Sequence, residues 1–180
     1  MIAPAASPAP RRRLAGRRAR SLGIGFEDWL RAYIFRPLIE RQVILRADKL
    51  DPPARPTWDG ARRRVVLRPV AAGGADWLLC AAGGRYVAVE SKSTDAPRFY
   101  RSDLTAEQIK HLDTATAAGG AAFLAVQFRD GPTATAFLAP WQAVPWHCAR
   151  TAPSVIAADL ERWRVNGWID AARILSAKDA

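Results

Sequence analysis

"GADWLLCAAGGRYVAVESKS", residues 74–93, decides how this chain folds. Two apolar runs flank Gly83-Gly84, so residues 76–80 and 85–91 are predicted to be the two strands of a hairpin. Side chains alternate along a strand, which puts Glu90 and Lys92 on one face and Val87, Val89 and Ser91 on the other. A loop of four, three or two residues would bring Asp76 beside Val89, Glu90 or Ser91 respectively. With three, two carboxylates face each other with Cβ atoms about 5 Å apart and repel unless something positive joins them. Mg²⁺ does this well, because it takes carboxylate, water and phosphate oxygens. Lys92 is placed to position or deprotonate a water, or to neutralise charge developing on phosphorus. The pattern Asp-x13-Glu-x-Lys therefore points to metal-assisted phosphodiester hydrolysis. The ordinary alternative, an exposed Glu-x-Lys ion pair, does not account for the apolar run leading into Glu90 or for the partner acid.

Working outward, "GFEDWLRAYIFRPL" (25–38) spaces Phe26, Trp29, Leu30, Tyr33 and Ile34 as an amphipathic helix from about 24, which Pro37 should disrupt. "LDPPARPTWDGARRR" (50–64) reads as a Pro-rich loop or linker, and "RVVLRPV" (64–70) as a strand with Pro69 at an edge or its end. In "SDLTAEQIKHLDTATAAGG" (102–120), Thr105 and Gln108 have capping-box spacing, with Leu104 and Ile109 as a hydrophobic staple and Gly119-Gly120 as the stop. "AAFLAVQF" (121–128) and "ATAFL" (134–138) follow as strands. "PSVIAADLERWRV" (153–165) reads as a late helix started by Pro153. The order of elements predicts an α/β domain, a mixed sheet flanked by helices.

The chain has 180 residues, 49% of them apolar, enough for a proper core and too many for wholesale disorder. No run of about 18 apolar residues spans a membrane. Cys80 and Cys148 are too few for a disulfide framework or a structural zinc site and fit a reducing cytosol. The net charge of +10 favours a polyanionic partner, of which nucleic acid is the commonest. Six arginines and no acid fall in residues 1–20, which reads as a basic, flexible arm over 1–22. An organelle transit peptide and a twin-arginine signal at Arg12-Arg13 are the alternatives for that arm, but no apolar segment of the secretory kind follows it. Of the seven tryptophans, Trp141, Trp146, Trp163 and Trp168 are expected in the core or in dimer contacts, with stacking on nucleic-acid bases as the alternative.

"VESKST" (89–94) resembles the Glu-x-Lys-x-Thr strand of the PD-(D/E)XK nuclease superfamily. More closely, the chain resembles the RecU-type Holliday junction resolvases of bacteria and their phages, from about Gly23 to Asp170. "GFEDWL" matches on the first helix, "ADKLDPP" (47–53) entering the loop, "EQIKHL" (107–112) at Gln108 and His111, and "GGAAFLAVQF" (119–128) on a strand. The chain departs from the family's pattern before Asp76, where Gly73, Gly74 and Ala75 stand instead of Ser or Thr, and no Gly follows until 83. The resemblance implies a restriction-endonuclease-like fold, with residues 23–175 as one nuclease domain. It also implies a Mg²⁺- or Mn²⁺-dependent homodimer, without small-molecule cofactor, that nicks two opposed strands of a four-way DNA junction. On it, Asp76 and Glu90 are metal ligands helped by the Ser91 carbonyl, and Lys92 is the catalytic lysine. Glu27 orients metal-bound water or a second ion, and Gln108 supports Lys92 or the attacked phosphate. A plain pairing of Glu27 with Arg31, four residues on, is the other reading of that acid. The family's projecting stalk would fall within about 48–75, with Arg62, Arg63 and Arg64 on DNA. Thr94 and His111 are further implied nucleic-acid contacts. The implied location is cytoplasmic, or the host cytoplasm for a compact phage version. Another nuclease of the superfamily, of repair or restriction type, and a non-catalytic DNA-binding protein are the competing readings.

Overall fold

The computed structural model describes residues 25–51, 54–59, 61, 63–69, 73–130, 133–148 and 153–177; the basic arm at 1–22 lies outside them, as does Arg62. The architecture is the expected mixed sheet flanked by helices. Six strands run in the order β1 (Ile44–Lys49), β4 (Trp77–Ala81), β5 (Tyr86–Thr94), β7 (Ala121–Asp130), β8 (Thr133–Pro140) and β10 (Arg164–Val165). The remaining strands form two separate ribbons, β2 (Ala54–Asp59) with β3 (Arg64–Pro69) and β6 (Phe99–Tyr100) with β9 (Ser154–Val155). All neighbours in the large sheet are antiparallel except β5 and β7, which are parallel and joined through helix α3 (Ala106–Ala117). A parallel pair needs such a crossover, and α3 packs on both strands it connects. Buried between neighbours and covered above and below, β5 has five consecutive buried residues, Val87 to Ser91.

The β4–β5 hairpin settles the first question of register. Trp77 pairs with Val89 and Cys80 with Tyr86, so residues 82–84 form a three-residue loop and Asp76 falls opposite Glu90. Gly83 and Gly84 both have positive φ, 83° and 81°, which a side chain would resist.

Three elements differ from the sequence reading. Pro37 does not end the first helix. An α-helical turn, α1 (residues 25–29), runs into a π-helical stretch, Leu30–Phe35, and on into α2 (Arg36–Glu40), where Pro37 sits in the first turn. There its missing N–H is not required, and the wider π turn upstream (Arg36 N–H to Arg31 O) accommodates the ring. The supposed loop at 50–64 contains a strand, β2, which pairs with β3 from end to end. Each strand of a ribbon has only one bonded edge, so proline is tolerated wherever its nitrogen faces away from the partner. The supposed late helix is a 3-10 helix, Ala157–Trp163, between the short strands β9 and β10. Its inward residues Ala157, Leu160 and Trp163 recur every three positions, the 3-10 period, not every 3.6. The terminal α-helix comes later, α5 (Trp168–Leu175), after the short α4 (Pro145–Cys148).

Aromatic packing closes the core beside the site. Phe35 meets Trp77 edge-on at 5.0 Å, and the fully buried Trp141 donates through Nε1 to Asp113 at 2.7 Å. Among the described residues no helix is long and apolar enough to cross a membrane.

Candidate active site

Tyr86, Ala88, Glu90 and Lys92 share the face of β5 that α3 covers, and Glu90 lies at the centre of it, 0% exposed. A valine there would contribute about 1.5–3 kcal/mol by burial, whereas a buried ionised carboxylate costs several kcal/mol unless compensated. Compensation is partial. Oε1 accepts hydrogen bonds from Lys92 Nζ at 2.7 Å and from Gln108 Nε2 at 2.5 Å. Oε2 is buried and makes no hydrogen bond of good geometry, while the Asp76 backbone lies close enough to the carboxyl to oppose the rise in its pKa. Burial raises the Glu90 pKa to about 8, the Asp76 charge adds to the rise, and the Lys92 ammonium only partly opposes it.

Asp76 is held from two sides. Ser91 donates to its Oδ2 through the backbone N–H at 2.9 Å and through the hydroxyl at 2.7 Å. On the chain side, the Ala75 N–H donates to His111 Nδ1 at 2.8 Å. With Nδ1 accepting, the ring proton belongs to Nε2, which donates to Tyr86 Oη at 2.7 Å. Gly74 makes this approach possible, because a Cβ there would overlap His111 Nδ1. Gly74 thus has a local purpose.

Gln108 serves two structures at once. Its N–H donates to Thr105 Oγ1 and its Oε1 accepts from the Thr105 N–H, a complete capping box at the start of α3. That fixes the amide so that Nε2 points at Glu90. The support expected for Lys92 or a phosphate is therefore given to Glu90, because Oε1 is already used by the cap.

Glu27 does not pair with Arg31. Its Oε2 lies 2.6 Å from Lys49 Nζ, at the end of β1, while Arg31 reaches Asp28 at 3.9 Å. The hydrogen bond with Glu27 is the largest influence raising the Lys49 pKa. The remaining expected contacts are placed as follows. Thr94 Oγ1 accepts from the Ala96 N–H in the turn after β5. His111 has both ring nitrogens engaged within the protein. Arg63, exposed at the tip of the β2–β3 ribbon, has a positive φ of 49°, and Arg64 opens β3 opposite Asp59.

Four participants were missed in the sequence: Lys49, Tyr86, Gly74 and the Ser91 hydroxyl. The capping-box arithmetic that found Gln108 has no counterpart for them, since each acts on a residue far away along the chain or across a strand. Among the described residues no three His, Cys, Asp or Glu side chains converge, so an ion held here would have Asp76 and Glu90 as its carboxylates. Oxygen-only donors and a buried carboxylate oxygen without a well-formed hydrogen bond suit a hard cation such as Mg²⁺, with waters and phosphate oxygens completing the shell.

No family model and no curated protein sequence matches this chain. Among solved structures it is similar to Hjc, a Holliday junction resolvase from the archaeal hyperthermophile Archaeoglobus fulgidus, determined at 1.6 Å resolution, at 18% identity and a TM-score of 0.47, with 84% of this chain and 95% of that chain covered.

Proposed function

We propose that this protein is a divalent-metal-dependent DNA endonuclease that resolves four-way junctions, giving paired, symmetric nicks as a homodimer. The observation that carries the reading is the buried carboxyl of Glu90, with one oxygen lacking a well-formed hydrogen bond, set opposite Asp76 and 2.7 Å from Lys92. No structural need explains such a group in the middle of a central strand.

Asp76, Glu90 and the Ser91 carbonyl would hold Mg²⁺ or Mn²⁺. When bound, the ion supplies a Lewis acid for the scissile phosphate and lowers the pKa of an attacking water. The chain's own residues do the rest. Ser91 and the His111–Ala75 bond fix Asp76, and Gln108 fixes the orientation of Glu90. Lys92, whose side chain is 26% exposed and lies 2.7 Å from Glu90, would stabilise negative charge developing on phosphorus. The basic arm together with Arg62, Arg63 and Arg64 suits a substrate recognised by its phosphates and branched shape.

The test is cleavage of a labelled four-way junction and of a linear duplex with the same arm sequence, under Mg²⁺, under EDTA, and with Glu90→Gln. Paired nicks in the junction alone, lost with EDTA and with the variant, are expected. Equal cutting of linear duplex would replace the reading with a repair- or restriction-type nuclease. Junction binding without cutting under either Mg²⁺ or Mn²⁺ would leave a DNA-binding protein.

A further inference from the structure

The face of β5 that carries Glu90 and Lys92 continues beyond them. Thr94 follows two residues after Lys92 and is registered against Phe128, which is registered in turn against Thr135. Partners in register point to the same side of a sheet, so Phe128 and Thr135 lie on the face of Glu90 and Lys92. Helix α3 meets that face at Gln108 beside Glu90 and runs back toward the start of β7, away from this end of the strands. Here a pocket of about 550 Å³ opens between the turn after β5, the ends of β7 and β8, and the start of the 3-10 helix. Four residues of strand and one strand spacing put its floor at Phe128 about 14 Å from Glu90. About four nucleotides of a duplex strand cover that distance, at roughly 3.4 Å each. The lining has two characters. Phe128, Pro97 and Ile156 are apolar, while Asp95, Asp130 and Thr135 bring acceptor oxygens. Arg129 Nε, 3.6 Å from Asp95, offsets one of the two charges. Carboxylates repel a phosphate but accept hydrogen bonds from the amino group of a base, whose flat ring suits the apolar part.

We propose that this pocket takes one unpaired nucleobase with an exocyclic amino group, cytosine or adenine, from the strand that is cut, within about four nucleotides of the scissile phosphate. The proposal rests on the nuclease reading above and gives that enzyme a base-reading site, separate from the residues that bind metal. Taking a base out of the stack costs least where pairing is already weak, as it is beside the branch point of a junction. A hydrated notch between strand ends and a helix would leave binding indifferent to any single base.

The experiment maps the nicks in a four-way junction, then measures junction affinity by fluorescence anisotropy in EDTA, so that no strand is cut. Each junction of the series carries one abasic site, at one of the four nucleotides on either side of the nick. In the wild type, one position is expected to lose about fivefold or more in affinity, the weight of one stacked base. Cytosine at that position should bind more tightly than thymine, which has a carbonyl in place of the amino group. Ala158→Trp places an indole in the pocket from an exposed position of its wall and should make the abasic loss disappear. Asp95→Asn with Asp130→Asn should remove the preference for cytosine over thymine and keep the abasic loss. A flat abasic series in the wild type, or a loss that persists in full in Ala158→Trp, would overturn the proposal and leave the nuclease reading intact. Equal affinity for cytosine and thymine would overturn the choice of an amino-bearing base. Absence of any nick under Mg²⁺ or Mn²⁺ would overturn the nuclease reading, and the proposal with it.

Discussion

At the scale of single residues, position 90 shows a side chain kept against the interest of the fold. With its pKa raised from 4.5 to about 8, Glu90 stabilises the metal-free protein fully only below about pH 4.5, and this contribution is lost as pH rises to about 8. The melting temperature of the metal-free protein is therefore expected to fall between pH 5 and pH 8, and Glu90→Gln to flatten that fall. At pH 8 the variant should melt a few degrees higher, since about 1 kcal/mol corresponds to roughly 2–4 °C in a chain of this size. The same carboxyl must give up its proton to a cation. Mn²⁺ affinity measured by calorimetry should accordingly rise about tenfold per pH unit up to about pH 8. Gly74 makes a second prediction. In Gly74→Ala the new methyl group displaces the His111 ring and breaks its bond with the Ala75 N–H. We expect a stability loss of about 1–2 kcal/mol and weaker Mn²⁺ binding, read by chemical denaturation and calorimetry.

At the scale of elements, the start of α3 combines a local and a distant task that two substitutions can separate. Thr105→Ala removes the cap, at a cost of about 1 kcal/mol, and leaves the Gln108–Glu90 bond in place. Gln108→Ala keeps that cap, because the backbone N–H of residue 108 still reaches Thr105 Oγ1, but removes the Thr105 N–H to Oε1 bond and the bond to Glu90. Both variants should therefore melt lower, while junction cleavage should fall strongly only in Gln108→Ala. Paired melting curves and single-turnover rates check this. The capping box was legible because it is an exchange between residues three apart. The π-helical stretch and the β2–β3 ribbon were not, because each depends on a partner. Pro37 looks like a helix breaker in isolation and is harmless once the preceding turn widens. Pro56 argues against a strand until β3 supplies its only bonded edge. The 3-10 helix at Ala157–Trp163 was readable in principle, from its three-residue spacing of buried side chains.

At the scale of the whole molecule, charge makes the broadest prediction. Six of the ten net positive charges come from arginines in residues 1–20. Replacing those six with glutamine should lower the slope of log affinity against log salt for a junction by up to about 5, because each phosphate left unneutralised takes away about 0.9. The positions of the nicks should not move, because the arm adds attraction and the site sets the chemistry. From the sequence alone came the mixed α/β class, the hairpin, the candidates Asp76, Glu90 and Lys92, and the capping box at Gln108. These follow from periods of 2 and 3.6 and from hydrogen bonds between near neighbours, which any local stretch expresses by itself. The loop length that sets Asp76 opposite Glu90 was one of three possibilities until the ladder fixed it. Only the tertiary structure decided that Glu27 meets Lys49, that His111 holds the Asp76 chain, and that Glu90 is buried deeply enough to keep its proton near neutral pH. Those outcomes depend on which distant segments share a space and how much water they exclude, and neither quantity is written in the spacing of residues along the chain.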